Sequence, residues 1–438
     1  MCDIRPFCGL RYNLQRVEDP SSVICPPYDV ISPEQRSLYH RASPYNIIRL
    51  ESGEDEPGDN SGNNKYTRAS STLSSWISEG VLVRDKKPAF YVIEHRFLHQ
   101  GEAISRWDLL ARLRLEDFSS GNVRPHEKTT KKPAADRLTL LRTSRTNFSP
   151  IMGLFRSDEG KMLALLRDTA RKAPDFAAVD RDGVEHLLRI VDEEKTVGQI
   201  TDHFREKPVY IADGHHRYET ALQFMKEHRT LDAGENKAVN FVMISLMDST
   251  DSGIVMYPTH RLIRGLDPIS ARRLKEAISL YFTAIPVPSL PENEQGESGW
   301  LRGFHQHAAP VIGLYNGSGD FTILKLRRDA NLAGVMSDRE MRVWGNLDVV
   351  LLHRLVIESV LSFNSENGNA ANIEYTRDPH EARTRVDSGE FQFAFFLNPT
   401  PVSSILNTAD MGKRLPPKTT YFFPKTPAGL VLNPLWDD

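Results

Sequence analysis

Three cysteines in 438 residues, Cys2, Cys8 and Cys25, are too few for a disulfide framework, and they form no paired metal-binding spacing. No His-Glu-x-x-His motif is present either, and adjacent histidines in one helical turn point about 100° apart, which suits a shared zinc ion poorly. No run approaches the roughly 18 apolar residues that cross a bilayer. The N-terminal MCDIRPFCGLRY carries charge early and has no apolar signal core. These absences lead us to expect a soluble, cytoplasmic protein with no membrane partner. A surplus of one charge sign is also missing. The net charge of −3 forces no large basic face, which speaks against a nucleic-acid partner. There is no internal repeat and no long low-complexity tract.

What is present is enough apolar sequence, 39%, for a substantial core, in a chain long enough for two or three domains. Strand-like and helix-like stretches mix without regular alternation, so the expected class is α+β, with mixed sheets and helices. The clearest local signal is VYIADGHHRYETAL, 209–222. Val209, Tyr210 and Ile211 read as a buried strand, and Gly214 as a turn. Tyr218, Ala221, Leu222 and Met225 then recur at helical spacing. Asp213-Gly214-His215-His216-Arg217 therefore falls at a helix N-terminus, an end that attracts anions. Arg217 suits a bidentate phosphate contact, and on this reading Arg217→Ala weakens nucleotide binding while sparing the fold. The plainer reading has Asp213 capping the helix and the histidines on the surface.

Elsewhere, AFYVIEHRFLHQGEAISRWDLLARLRLED reads as a hairpin turning at Gln100-Gly101. Residues 134–143 read as a helix and 150–155 as a strand. A hairpin is expected around Asn316-Gly317, and a helix over 347–362. ESGEDEPGDNSGNN, 51–64, reads as an acidic surface loop. PSLPENEQGESG, 288–299, is the best linker, dividing a nucleotide-handling region over 1–290 from a smaller α+β region over 300–438.

Four further constellations carry chemistry-bearing residues. RPHEKTTKKPAADR crowds Arg124, His126, Glu127, Asp136 and Arg137 onto a loop and the following helix. His126 with Glu127 reads either as a general base or as a holder of a magnesium–phosphate complex, against the plainer reading of a solvated basic face. PPYDV holds Asp29 behind rigid prolines. PTHR presents His260 and Arg261 after a strand. PPKTTYFFPK offers Lys418 and Lys425 as phosphate partners.

Taken together and in order, PPYDVI, RPHEKT, the Asp-Arg pair at 136–137, NFSPI, ADGHHRYETAL, PTHRLI, FFLNPT and PPKTTYFFPK resemble the bacterial and archaeal domain-of-unknown-function family 1015, from Arg5 to Leu432. The strand–DGHHR–helix segment is also similar to the nucleotide-phosphate loop of the ParB/sulfiredoxin-like superfamily, whose free serine kinases carry a nearly identical loop. That resemblance implies a ParB/sulfiredoxin-like nucleotide-binding core with large additions. It also implies nucleotide-dependent phosphotransfer to or from a small hydroxyl metabolite, serine or phosphoserine first, with ATP or ADP and Mg2+. Gly214, His215, His216 and Arg217 then bind phosphate. Glu127, Asp29 or Asp213 serves as base or magnesium ligand. His126, Arg124 and Arg137, with His260, Arg261 and Lys418, hold the transferred group or a substrate carboxylate. Sulfiredoxins have a catalytic Cys in this loop where this chain has His, so their reaction is not expected. ParB proteins bind CTP and DNA, yet no helix-turn-helix or basic arm is evident. The alternative from a different class is a nucleotide-binding regulator that performs no chemistry.

Overall fold

A computed structural model describes residues 2–127, 131–205, 207–228, 237–287, 304, 310–317, 321–358 and 372–436. The linker expected at 288–299 lies outside these, as does the end of the helix expected over 347–362. The class is α+β. The chain forms two compact units: Met1–Pro125, Thr129–Val255 and Phe422–Asp438 in the first, His126–Lys128 and Met256–Tyr421 in the second.

The first unit is organised by a mixed sheet whose strands run in the order 123–125, 209–213, 151–155, 241–248, 102–114, 90–99, 185–191, 176–179, with 4–5 also on 102–114. The pairs 209–213 with 123–125 and 241–248 with 151–155 are parallel, the others antiparallel. The hairpin 90–99/102–114 turns at Gln100 and Gly101, both with positive φ, as the Gln-Gly step leads one to expect.

Side-chain alternation along these strands makes two cores. Val92, Leu109 and Ile244 face one side, packed with Tyr218, Ala221 and Phe204 from helices Glu194–Phe204 and His215–His228. Tyr91, Ile93, Leu110 and Met243 face the other, against Phe7, Tyr12, Ile48, Trp76 and the C-terminal stretch Ala428–Leu432. On that second face the strand 102–114 also buries Arg106, Asp108 and Arg112. They hold the C-terminal segment by hydrogen bonds: Arg106 to the Pro424 carbonyl at 2.6 Å, the Thr426 hydroxyl to Asp108 at 3.0 Å, and Arg112 to Asn433 at 2.7 Å.

One expectation fails at residue resolution. The acidic loop expected from residue 51 is preceded by the helices Pro33–Ala42 and Ile48–Glu51, the first opened by a Ser32/Gln35 capping box and Pro33. Glu51 is the last residue of the second helix and is 3% exposed, so it does not belong to the acidic surface loop that follows.

The second unit has a six-stranded antiparallel sheet in the order 282–287, 321–326, 311–315, 393–396, 260–263, 373–376. Tyr315 pairs with Phe321, closing the hairpin expected around Asn316-Gly317. Leu262, Val311, Tyr315, Ala394 and Phe396 build its core.

Candidate functional site

The strand Val209–Asp213 leads through Gly214 into the helix His215–His228, as the apolar run and helical spacing require. Gly214 has φ +85°, and a Cβ there would meet Arg217 and Ile151 at 3.0 Å, so both backbone and space favour glycine. The Tyr218 N–H donates to the Gly214 carbonyl at 3.0 Å, which makes Gly214 the first acceptor of the helix. His215 is buried and His216 half-buried at the positive end of the helix dipole.

Lys425 comes to this turn from the C-terminal segment. Its ammonium donates to Asp213 at 2.8 Å and to Asp29 at 3.2 Å. Arg217 reaches back to Asp213 at 2.9 Å, to the Ser149 hydroxyl at 3.3 Å, and to the Pro150 carbonyl. Burial alone would lower the Arg217 pKa, but Asp29 and Asp213 outweigh it and hold the guanidinium charged. Arg217 is thus bonded inside the fold, which argues against the expectation that its removal spares folding. The sequence gives its helical position but not the loop 149–150 against which it packs.

The polar chain continues. Ser149 donates to Glu51 at 2.8 Å. Arg137 donates to the Glu51 carbonyl at 2.7 Å and to Asp136 at 2.5 Å, and lies 4.1 Å over the Tyr28 ring. Tyr66 donates to Asp136 at 2.7 Å. Burial raises the Glu51 pKa, against the pull of Arg137 and Arg217. Asp29, Asp213, Arg217 and Arg137 are therefore parts of one network, joined by Glu51 and Ser149. Sequence reasoning missed both joining residues. The signal for Glu51 was the run Ile47-Ile48-Arg49-Leu50, which sets a helical turn before it. Arg124 lies on the strand beside 209–213. It donates to the Gly121 carbonyl at 2.9 Å and lies over Tyr210 at 5.7 Å.

Among the described residues, no group of three or more His, Cys, Asp or Glu side chains is arranged to hold a metal ion. Asp29 and Asp213 converge, but the cation between them is Lys425. These residues do not fit a magnesium ion held by the chain itself.

The other expected residues belong to the second unit. The buried His126 ring lies 3.1 Å from the Thr420 hydroxyl. Glu127 accepts from the Lys418 N–H at 2.6 Å, and Lys418 has φ +56°. Arg261, 1% exposed, donates to the Lys418 carbonyl at 3.0 Å and to that of Thr259. Burial pulls its pKa down to about 10. His260 accepts from the Leu397 N–H at 3.3 Å. His126, Glu127 and Arg261 thus gather on the loop 415–420.

No helix among the described residues is long and apolar enough to cross a membrane. A comparison with curated proteins gives no match. Among solved structures the chain is similar to a conserved hypothetical protein from Pyrococcus furiosus, at 15% identity over 73% of this chain and 93% of that one, with a TM-score of 0.35. It is similar to a free serine kinase in complex with AMP, at 15% identity over 72% and 86%, TM-score 0.34. SbnI with a C-terminal truncation, from Staphylococcus aureus, gives 12% identity over 74% and 85%, TM-score 0.36. The family described as a protein of unknown function, DUF1015, matches residues 4–350, and the chain belongs to that family.

Proposed function

We propose that the first unit binds a nucleotide phosphate at the 213–217 turn and transfers a phosphoryl group to or from a small hydroxyl metabolite, serine or phosphoserine first. The observation that carries this reading is Lys425, held between Asp29 and Asp213 two residues before the helix begins. A phosphate at that point meets an ammonium, two imidazoles and the positive end of a helix. Positioned positive charge is the main requirement of phosphoryl transfer. In the forward direction the substrate oxygen forms a bond to the γ-phosphorus. The bond from that phosphorus to the bridging oxygen breaks, and ADP leaves with the electron pair. The hydroxyl proton passes to Asp29, whose carboxylate already stands at the ammonium. His126, Glu127, His260, Arg261 and Lys418 lie in the second unit and are given no part in this step.

The test is direct. Purified protein is incubated with ATP, magnesium and a panel of small hydroxy acids including L-serine, and in reverse with ADP and phosphoserine, followed by phosphorus NMR. Transfer of the γ-phosphate to one hydroxyl compound is expected. Nucleotide binding with no transfer in either direction overturns the enzyme reading and leaves a nucleotide-binding regulator. One observation favours that second reading. Lys425 is already bonded to two carboxylates, so an arriving phosphate competes for it, and the competition acts on the C-terminal segment that carries it.

A further inference from the structure

Three buried nitrogens lie close in sequence on the two helices before Glu51. Arg36 Nε, His40 Nε2 and Arg49 Nε are shielded from solvent and have no hydrogen-bond partner among the described residues. Arg36 and His40 stand four apart on one helix, hence on one face. Burial lowers the His40 pKa, the charges of Arg49 and Arg36 act the same way, and Glu54 opposes them. These groups therefore sense one another. Leaving donors of this kind without an acceptor costs stability, and native proteins rarely do so without reason.

A cavity of about 220 Å3 has Arg36 in its wall, with Ser52, Lys65, Tyr66 and Arg137. A smaller space of about 50 Å3 shares Glu51 and Arg137 with it and reaches Ser149 and Arg217. The acids around the cavity are accounted for. Asp136 is bonded by Arg137 and Tyr66 and lies 3.5 Å from Lys65, and burial drives Glu51 toward its neutral form. Lys65 and Arg137 are paired with Asp136, and Lys65 also lies 3.2 Å from Asp55, so Arg36 is the cation of this cavity to which no carboxylate is bonded among the described residues. Its volume admits a small metabolite, below the range of drug-sized ligands.

We propose that this cavity seats a small metabolite through an oxyanion, a carboxylate or a phosphate monoester, docked on the Arg36 guanidinium. Its identity as the acceptor of the phosphoryl group rests on the phosphotransfer reading, whereas the oxyanion site stands on the orphaned Arg36 Nε and the cavity that Arg36 lines. The single buried Nε of Arg36 faces one oxygen of the anion, and the neighbouring Nη the other, in the fork geometry that arginine offers to planar anions.

Calorimetric titrations with D-glycerate, inorganic phosphate and glycerol test it, with ATP titrated separately. Glycerate or phosphate binds and glycerol does not. The tighter of the two anions tells carboxylate from phosphate as the recognised group. Arg36→Gln weakens that binding at least tenfold and leaves ATP affinity unchanged. Arg36→Lys, which keeps the charge and is the safer substitution for folding, retains part of it. If neither anion binds, or if both arginine variants bind as the wild type does, the site is refuted. ATP binding without anion binding refutes the site and spares the phosphotransfer reading, and anion binding without ATP binding does the reverse.

Discussion

The Lys425 ammonium stands 2.8 Å from the Asp213 carboxylate, across 212 positions of sequence. Neither residue is held there by its neighbours alone. Asp213 ends a buried strand. Lys425 is set by the residues on either side of it, Pro424 accepting from Arg106 and Thr426 donating to Asp108. Asp108 in turn accepts from Arg106 and from Ser245. A buried polar stripe on one strand thus fixes the position of a cation at the start of a helix.

Arg217 carries the first prediction. Its side chain is bonded to Asp213, Ser149 and the Pro150 carbonyl. Arg217→Ala leaves Asp213 with a lost partner in a largely buried setting and lowers stability by about 3 kcal/mol. Arg217→Lys recovers part of this, keeping the charge but not the fork. Denaturant unfolding of both variants measures it. An Arg217→Ala protein as stable as the wild type contradicts the bonded role.

Glu51 gives a pH signature. Its folded pKa is raised above the ordinary 4.5, by burial first. The folded state then binds the proton more tightly than the unfolded chain does, so stability falls as pH rises from 4.5 through the raised value. Gln at this position does not titrate and still accepts from Ser149. The melting temperature of Glu51→Gln relative to wild type is expected to rise between pH 4 and pH 8. A constant difference, or one of opposite sign, contradicts the burial account.

These two residues mark how far the sequence was legible. The strand–turn–helix at 209–228 and the hairpin at Gln100-Gly101 are written in local pattern, because each needs only neighbouring residues. Glu51 was misread because its window is dominated by the Glu, Gly, Asp, Pro and Asn that follow it. The helical run before it was the opposing signal. The commitment of Arg217 depends on Ser149 and Pro150, 68 and 67 residues away, and no spacing rule reaches that far. Lys425 was singled out as a phosphate partner, but its two carboxylates are a property of the fold.

His95 provides a third prediction. It is fully buried, 2.7 Å from His186 and 3.2 Å from Asp108. Burial and the Arg106 charge outweigh Asp108 and lower its pKa to about 4. The unfolded chain takes up this proton near pH 6.5, the folded one only near 4. His95 therefore contributes stability above pH 6.5 that is lost as pH falls toward 4, about 3 kcal/mol in all. Imidazole NMR is expected to report a neutral His95 at pH 5.5. A midpoint near 6.5 contradicts it.

The central claim is that Lys425 and the 213–217 turn form a phosphate site. Calorimetric titration of ATP into the wild type and Lys425→Met tests it most directly, with the variant first shown to be folded by its unfolding transition. Loss of a charge-assisted bond worth about 1.5–3 kcal/mol predicts an affinity lower by roughly ten- to a hundred-fold. ATP bound equally well by the folded variant, or bound by neither protein, contradicts the account.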